Sequence, residues 1–278
     1  MSTPHPPGGS PPRIVLPGVK QTIAVASGKG GVGKSTVAAN LALALRMQGH
    51  QVGLMDADIY GPSVPIMMGL GMVDQQTNQF PIHKYGLKLM SMGFIVAPDK
   101  AIIWRGPMVH KAVTQFLTDI NWGQLDYLVI DLPPGTGDAQ LTLTQTAPLT
   151  GAVVVTTPQD VSLIDARKGL LMFQQVRVPV LGIVENMSYF ICNRCGERHE
   201  IFRHGGGERC AKELGVPFLG TIPLDPAVAL QGDVGEPIVH SHPDSPIAKA
   251  YFTLASAVKA QVESRKSEIT ALPRLEIP

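Results

Sequence analysis

Six short apolar runs rich in β-branched residues punctuate the chain, at Thr22–Ala26, Val52–Met55, Tyr127–Ile130, Ala152–Thr156, Val180–Val184 and Phe218–Ile222, each bounded by Gly, Pro or Asp. Continuous apolar runs of this length, without alternation, are what strands covered on both faces require, so they predict buried β-strands. Between several of them the period changes to that of a helix. Ser35–Gln48 places Val37, Leu41 and Leu45 on one stripe, and Pro107 stands where a helix from Met108 to Leu117 would begin. Ala139–Thr146, Ser162–Val176 and Pro246–Glu263 read as further helices. Strands alternating with helices predict an α/β fold, with a mostly parallel central sheet and helices on both faces. Residues 1–19, rich in Pro, Gly and Ser, are expected to form a flexible N-terminal tail, and residues 20–278 one domain.

Composition narrows the class. Of 278 residues 44% are hydrophobic and 16% charged, which supports a sizeable core and excludes disorder for the bulk of the chain. Lys and Arg number 23 against 22 Asp and Glu, so no long-range field favours nucleic acid or an acidic membrane surface. No apolar run approaches the roughly 18 residues of a membrane span, and the N-terminus has neither a basic nor an apolar leader region, so a cytoplasmic location without stable membrane association is expected. Three cysteines cannot build a disulfide framework; two stand as Cys192-Asn193-Arg194-Cys195, a metal or redox spacing in a reducing compartment.

The strongest chemical signal follows the first predicted strand directly. Gly28-Lys29-Gly30-Gly31-Val32-Gly33-Lys34-Ser35 fits the phosphate-binding pattern G-x-x-x-x-G-K-[ST] and opens onto a helix, with Thr36 next. Glycines let successive N–H groups face a phosphate, the helix N-terminus adds its dipole, Lys34 can reach the β- and γ-phosphates, and the Ser35 hydroxyl can ligate Mg²⁺. Asp131 ends the third apolar run, where a buried strand would fix a carboxylate beside the phosphates, which makes it the second candidate Mg²⁺ residue. Asp56 and Asp58 follow the second run; Asp56 reads as strand-end support, and Asp138 as a helix N-cap.

Lys29 adds a second lysine to the loop, and Lys-Gly-Gly-Val-Gly-Lys-Ser resembles the deviant Walker A motif of the MinD/ParA/nitrogenase iron protein class. The resemblance implies a P-loop ATPase that sandwiches ATP in a homodimer, with Lys29 reaching the partner's nucleotide, Asp58 activating the attacking water and the Gly135 N–H sensing the γ-phosphate. Further segments narrow it: Asp56-Ala57-Asp58-Ile59-Tyr60-Gly61-Pro62-Ser63, Trp104-Arg105-Gly106-Pro107, Asp131-Leu132-Pro133-Pro134-Gly135-Thr136-Gly137-Asp138, Thr157-Pro158-Gln159-Asp160 and Asn186-Met187-Ser188. With the cysteine pair, they are similar to the Mrp/ApbC family of iron–sulfur cluster scaffold and carrier ATPases over about Val19 to Tyr251. This resemblance implies ATP and Mg²⁺ as cofactors, Asn186 at the adenine, and a 4Fe-4S cluster bridging two subunits through Cys192 and Cys195 of each, destined for apo iron–sulfur proteins. The cysteine-bearing segment would span about 186–210. The pair has Asn193 where proline more often follows the first cysteine, and the chain is expected to work without the small N-terminal domain of many bacterial members and the four-cysteine cluster of the eukaryotic cytosolic branch.

Two other readings compete. His199, His204 and Cys210 follow the pair closely enough to suggest an intrachain zinc knuckle, although Gly205–Gly207 reads as a turn into a helix and Cys210 as a small apolar residue on it. A MinD/ParA-like switch with structural zinc and no cluster would act on membrane or DNA. The last predicted helix, however, carries only Leu254, Val258 and Val262 amid alanines, and no basic stripe is evident. Met67, Met68, Met72, Met90 and Met92 are expected to be packing residues, and His240 and His242 exposed loop residues.

Overall fold

The computed structural model describes residues 14–70, 80–94 and 106–271. Every predicted strand is present, as β1 (Val19–Ser27), β2 (Val52–Asp56), β5 (Leu125–Asp131), β6 (Gly151–Thr156), β7 (Val180–Ile191) and β9 (Phe218–Leu224). Three short strands add to them, β3 (Ile82–Lys84), β4 (Leu87–Ser91) and β8 (Arg198–His199). The sheet runs β3-β4-β2-β5-β1-β6-β7-β8, with β9 also paired to β7. All pairings are parallel except β3 with β4 and β7 with β8.

The helices are α1 (Lys34–Met47), α2 (Val64–Met67), α3 (Gly106–Thr118), α4 (Asp138–Thr146), α5 (Asp160–Gln175), α6 (Gly206–Leu214), α7 (Pro226–Asp233), α8 (Ile238–Ser241) and α9 (Pro246–Ala271). They cover both faces because the strand pleat sends alternate residues to opposite sides. Ile23 and Val25 of β1 join the core under α1, α8 and α9, while Ala24 and Ala26 join the one containing residues of α3, α4, α5 and α6. Leu254, Val258 and Val262 are all buried in the first of these cores, so the apolar stripe of α9 serves packing. Met68, Met90 and Met92 are buried and Met67 packs against the core, as expected of filler residues; Met72, Trp104 and Arg105 lie outside the described residues.

Four expectations shift. Of the expected tail, residues 1–13 lie outside the described residues, whereas Leu16 is buried and Val19 opens β1. Asp138 is the first residue inside α4 rather than its N-cap, which is Gly137; the carboxylate still lies at the positive end of the helix dipole. The strand expected at Val180–Val184 runs on as β7 to Ile191, toward the cysteines. His240 is exposed but helical, on α8, with its ring 3.9 Å from that of Tyr85. Among the described residues no helix is long and apolar enough to cross a membrane.

Candidate nucleotide site and cysteine hairpin

Register brings the carboxylates together. Parallel pairing sets Asp56 opposite Asp131, Asp56 opposite Ser91, and Asp131 opposite Val25 near the end of β1. These are C-terminal strand ends, and β1 lies between β5 and β6 rather than beside β2, so the strand order reverses at the loop. Open α/β sheets bind ligands at such a switch point.

The loop that leaves β1 turns through Gly31 and Gly33, both at φ +81°, a left-handed conformation that glycine adopts without strain. Ser27 Oγ ties its start by donating to the Lys29 carbonyl at 2.8 Å. Lys34 is buried, and its Nζ lies 2.5 Å from Asp131 Oδ1, 3.2 Å from Ser35 Oγ and 3.7 Å from Asp58 Oδ2. Asp131 is fully buried; burial pushes its carboxyl above the usual range, and the Lys34 ammonium works against that shift. Its second oxygen, Oδ2, has no hydrogen-bond partner. An orphaned buried carboxylate oxygen on the residue that shares Lys34 with the Ser35 hydroxyl is a hard-oxygen donor set, which fits Mg²⁺.

Asp58 Oδ1 accepts from the N–H groups of Tyr60 and Gly61 at 3.1 and 3.2 Å, which leaves Oδ2 toward Lys34. Asp56 braces the same loop from below. Its Oδ1 accepts from Asp58 N–H at 3.1 Å, and its Oδ2 accepts from Val64 N–H at 3.2 Å and Ser91 Oγ at 2.9 Å. Burial and then the Asp131 charge push the Asp56 carboxyl up to about 7. Gly135 N–H donates to the Ser27 carbonyl at 3.0 Å, and Thr36 Oγ1 to Met67 Sδ at 3.8 Å. Asn186 Nδ2 donates to the Val32 carbonyl at 2.8 Å, so in this structure its side chain holds the phosphate loop. Lys29, half-buried on the rim, pairs with no carboxylate among the described residues.

Cys192 and Cys195 stand apart from this cluster. From Asn186, β7 runs on to Ile191 and folds back onto β8. Cys192 N–H donates to Glu197 O at 2.9 Å and Gly196 N–H to Cys192 O at 2.8 Å, with Gly196 at φ +74° closing the turn. Cys192 is half-buried and Cys195 exposed. The N–H groups of Arg194 and Cys195, followed by the Cys195 thiol, hold the Cys192 thiol below its usual range and favour the thiolate.

The zinc knuckle is not assembled. His204 Nδ1 lies 2.9 Å from Ser188 Oγ and 3.6 Å from Glu185 Oε1, and His199 lies against Phe190 and Glu197. Among the described residues no three His, Cys, Asp or Glu side chains form a metal-binding group. Cys210 is buried on α6, as expected, and burial raises its thiol. Sequence reasoning passed over Glu185 and Ser91, and it gave Ser188 no role of its own and His204 a zinc ligand's role in place of the contact with Ser188. The signal for Glu185 is a charged residue inside an apolar strand, next to Asn186.

A phosphate loop with two lysines between a central parallel strand and a helix, flanked by strand-end carboxylates, defines a P-loop NTPase of the MinD/ParA type. Residues 18–259 match the family model described as ParA: NUBPL iron-transfer P-loop NTPase, and the chain belongs to that family. It is 56% identical over 258 residues to the iron-sulfur cluster carrier protein of Aquifex aeolicus, covering 91% of this chain and 71% of that protein. Among solved structures, the nucleotide-binding protein from Archaeoglobus fulgidus in complex with ADP superposes with a TM-score of 0.72 at 39% identity, over 85% of this chain and 93% of that one. The cell division ATPase MinD of Pyrococcus furiosus, at 22% identity, TM-score 0.66 and coverage of 86% and 98%, shares the fold.

Proposed function

We propose that the chain, with residues 20–278 as one ATPase domain, binds and slowly hydrolyses ATP as a homodimer, holds a 4Fe-4S cluster between its subunits, and passes it to apo iron–sulfur proteins. The observation that carries this reading is one half of a cysteine site: two thiols on an exposed hairpin, with no third ligand beside them among the described residues, in a chain whose phosphate loop carries a second lysine that pairs with no carboxylate among those residues. Two such hairpins meeting on a twofold axis supply four thiolates, the complement for a four-iron cluster.

At the nucleotide, Gly28, Lys29, Gly30, Gly31, Val32, Gly33, Lys34, Ser35 and Thr36 would wrap the phosphates. Lys34 would move its charge from Asp131 to the phosphoryl oxygens, and Ser35 and Asp131 would hold Mg²⁺, whose chemistry is to neutralise charge on the transferring phosphoryl group. Asp58, already oriented by two backbone N–H groups, would direct the attacking water, and Lys29 would reach the partner's nucleotide. The Gly135 N–H would release Ser27 to meet the γ-phosphate, and Asn186 would lie at the adenine. The name of the Aquifex relative supports cluster transfer.

The test is iron, acid-labile sulfide and zinc per chain in anaerobically reconstituted protein, beside a Cys192→Ala/Cys195→Ala control. About two iron and two sulfide per chain, absent from the control, are expected for one four-iron cluster per dimer. Stoichiometric zinc without sulfide would overturn the carrier reading.

A further inference from the structure

One strand carries both sites, and it is irregular between them. In β7, Met187 sits at φ +54°, a conformation uncommon outside glycine and strained for a bulky side chain. The register with β9 slips between Asn186 and Phe190 across the same position. The irregularity aims neighbouring side chains at different targets. Asn186 Nδ2 holds the Val32 carbonyl of the phosphate loop, and a Cβ built on Gly33 would lie 2.3 Å from that amide and 3.5 Å from Met187 Cε.

Glu185 and Ser188 point instead toward His204 and the start of α6. Glu185 is fully buried, and both of its carboxylate oxygens are engaged: Oε1 accepts from Ser188 Oγ at 2.6 Å and Gly205 N–H at 3.1 Å, and Oε2 accepts from Gly207 N–H at 2.6 Å. It thereby caps the N-terminus of α6, where a carboxylate is favoured. With the serine proton committed to Glu185, the 2.9 Å contact makes His204 Nδ1 the donor to Ser188 Oγ, and Arg198 Nη2 lies against the same ring, 3.3 Å from Nδ1 and 3.2 Å from Nε2. Arg198 lies over the Tyr189 ring at 4.0 Å and pairs with Ile191 across the hairpin, one residue before Cys192.

We infer that Glu185, Ser188 and His204 are positioning residues for the cysteine hairpin, and that the strained joint at Met187 makes the hairpin respond to the conformation of the phosphate loop. The inference deepens the carrier reading and rests on it for its purpose. The geometric claim concerns only the loop and the thiols. A ligand that rearranges Val32 and Gly33 shifts Asn186 and Met187, and a bulged strand, bistable rather than freely deformable, passes the change to Ser188, His204 and Arg198.

The experiment is the alkylation rate of Cys192 and Cys195 in cluster-free full-length chain, resolved per cysteine by mass spectrometry, with and without saturating Mg-ADP. Wild-type rates should change at least threefold on adding ADP. Met187→Gly, which relieves the strained backbone, should reduce that change to less than 1.5-fold at saturating ADP. Glu185→Gln, which puts an amide against the Gly207 N–H, should raise both rates with or without nucleotide. Should Glu185→Gln not fold, His204→Ala interrupts the same path from a partly exposed position and should act in the same direction. A wild-type response absent, or retained in full by Met187→Gly, overturns the inference. A wild-type response in protein that takes up no iron and sulfide leaves the joint standing and removes the carrier reading alone.

Discussion

At the scale of single residues, the decisive group is a carboxylate without enough partners. Asp131 keeps one oxygen on Lys34 and leaves the other unsatisfied in the interior, a costly arrangement that persists where a ligand resolves it. Its neighbour Asp58 accepts from N–H groups of its own loop and approaches the phosphate loop only through Lys34 at 3.7 Å, so Asp58→Ala should bind ATP within about threefold of wild type and lose more than about 100-fold in hydrolysis, read by single-turnover assay. Asp56 gives a pH signature. Its carboxyl is pushed up to about 7, so the folded chain holds that proton more tightly than the unfolded chain. The stability it contributes is therefore complete below the ordinary carboxylate range, falls as pH rises toward 7, and levels above it. Asp56→Asn should flatten the fall in urea midpoint between pH 5 and 7, and an unchanged slope would assign it to other groups. Lys34, Ser35 and Asp131 were legible in the sequence because a motif and a strand end named them. Glu185 and its contacts with His204 and Gly205 were not, because what joins them is a fold-back about 20 residues long that no local pattern announces.

At the scale of elements, what the sequence announced were the segments buried on both faces or along a full stripe. The hairpin β3–β4 escaped because its two turn residues, Tyr85 and Gly86, both take positive φ, at 50° and 75°. That is a type I′ geometry for which Asn-Gly is the usual signal, and tyrosine hides it. The far half of β7 escaped because Asn186, Ser188 and Tyr189 interrupt its apolar run. Packing between helices also rests on polar detail. Asn40 of α1 is buried, donates to the Thr36 carbonyl at 2.9 Å and accepts from the Val239 N–H of α8 at 3.1 Å. Asn40→Leu would leave that N–H buried without a partner, at a cost of about 1–3 kcal/mol, visible as a lower midpoint in thermal or urea unfolding. A neutral result would mean that α8 shifts to find another acceptor.

At the scale of the whole molecule, the proposed homodimer assigns a task to two features. Among the described residues Lys29 pairs with no carboxylate and the cysteine pair has no third ligand beside it, and in the proposed dimer a second chain supplies both counterparts. Lys29→Ala should keep ATP affinity within about fivefold while removing ATP-dependent dimerisation, measured by sedimentation velocity with ATP and a hydrolysis-blocking Asp58→Ala background. Dimers persisting undiminished would show that Lys29 serves its own nucleotide.

The strand order also sets a schedule for synthesis. β1, which delivers the phosphate loop, leaves the ribosome first, yet both neighbours that clasp it, β5 and β6, are encoded about 100 residues later. At roughly 5–20 residues per second the apolar strand waits on the order of 5–20 s for its first lateral hydrogen bonds. The nucleotide loop is therefore built early and shaped late, and a nascent chain stalled before Gly151 carries an unclasped sheet centre that must be shielded from its neighbours.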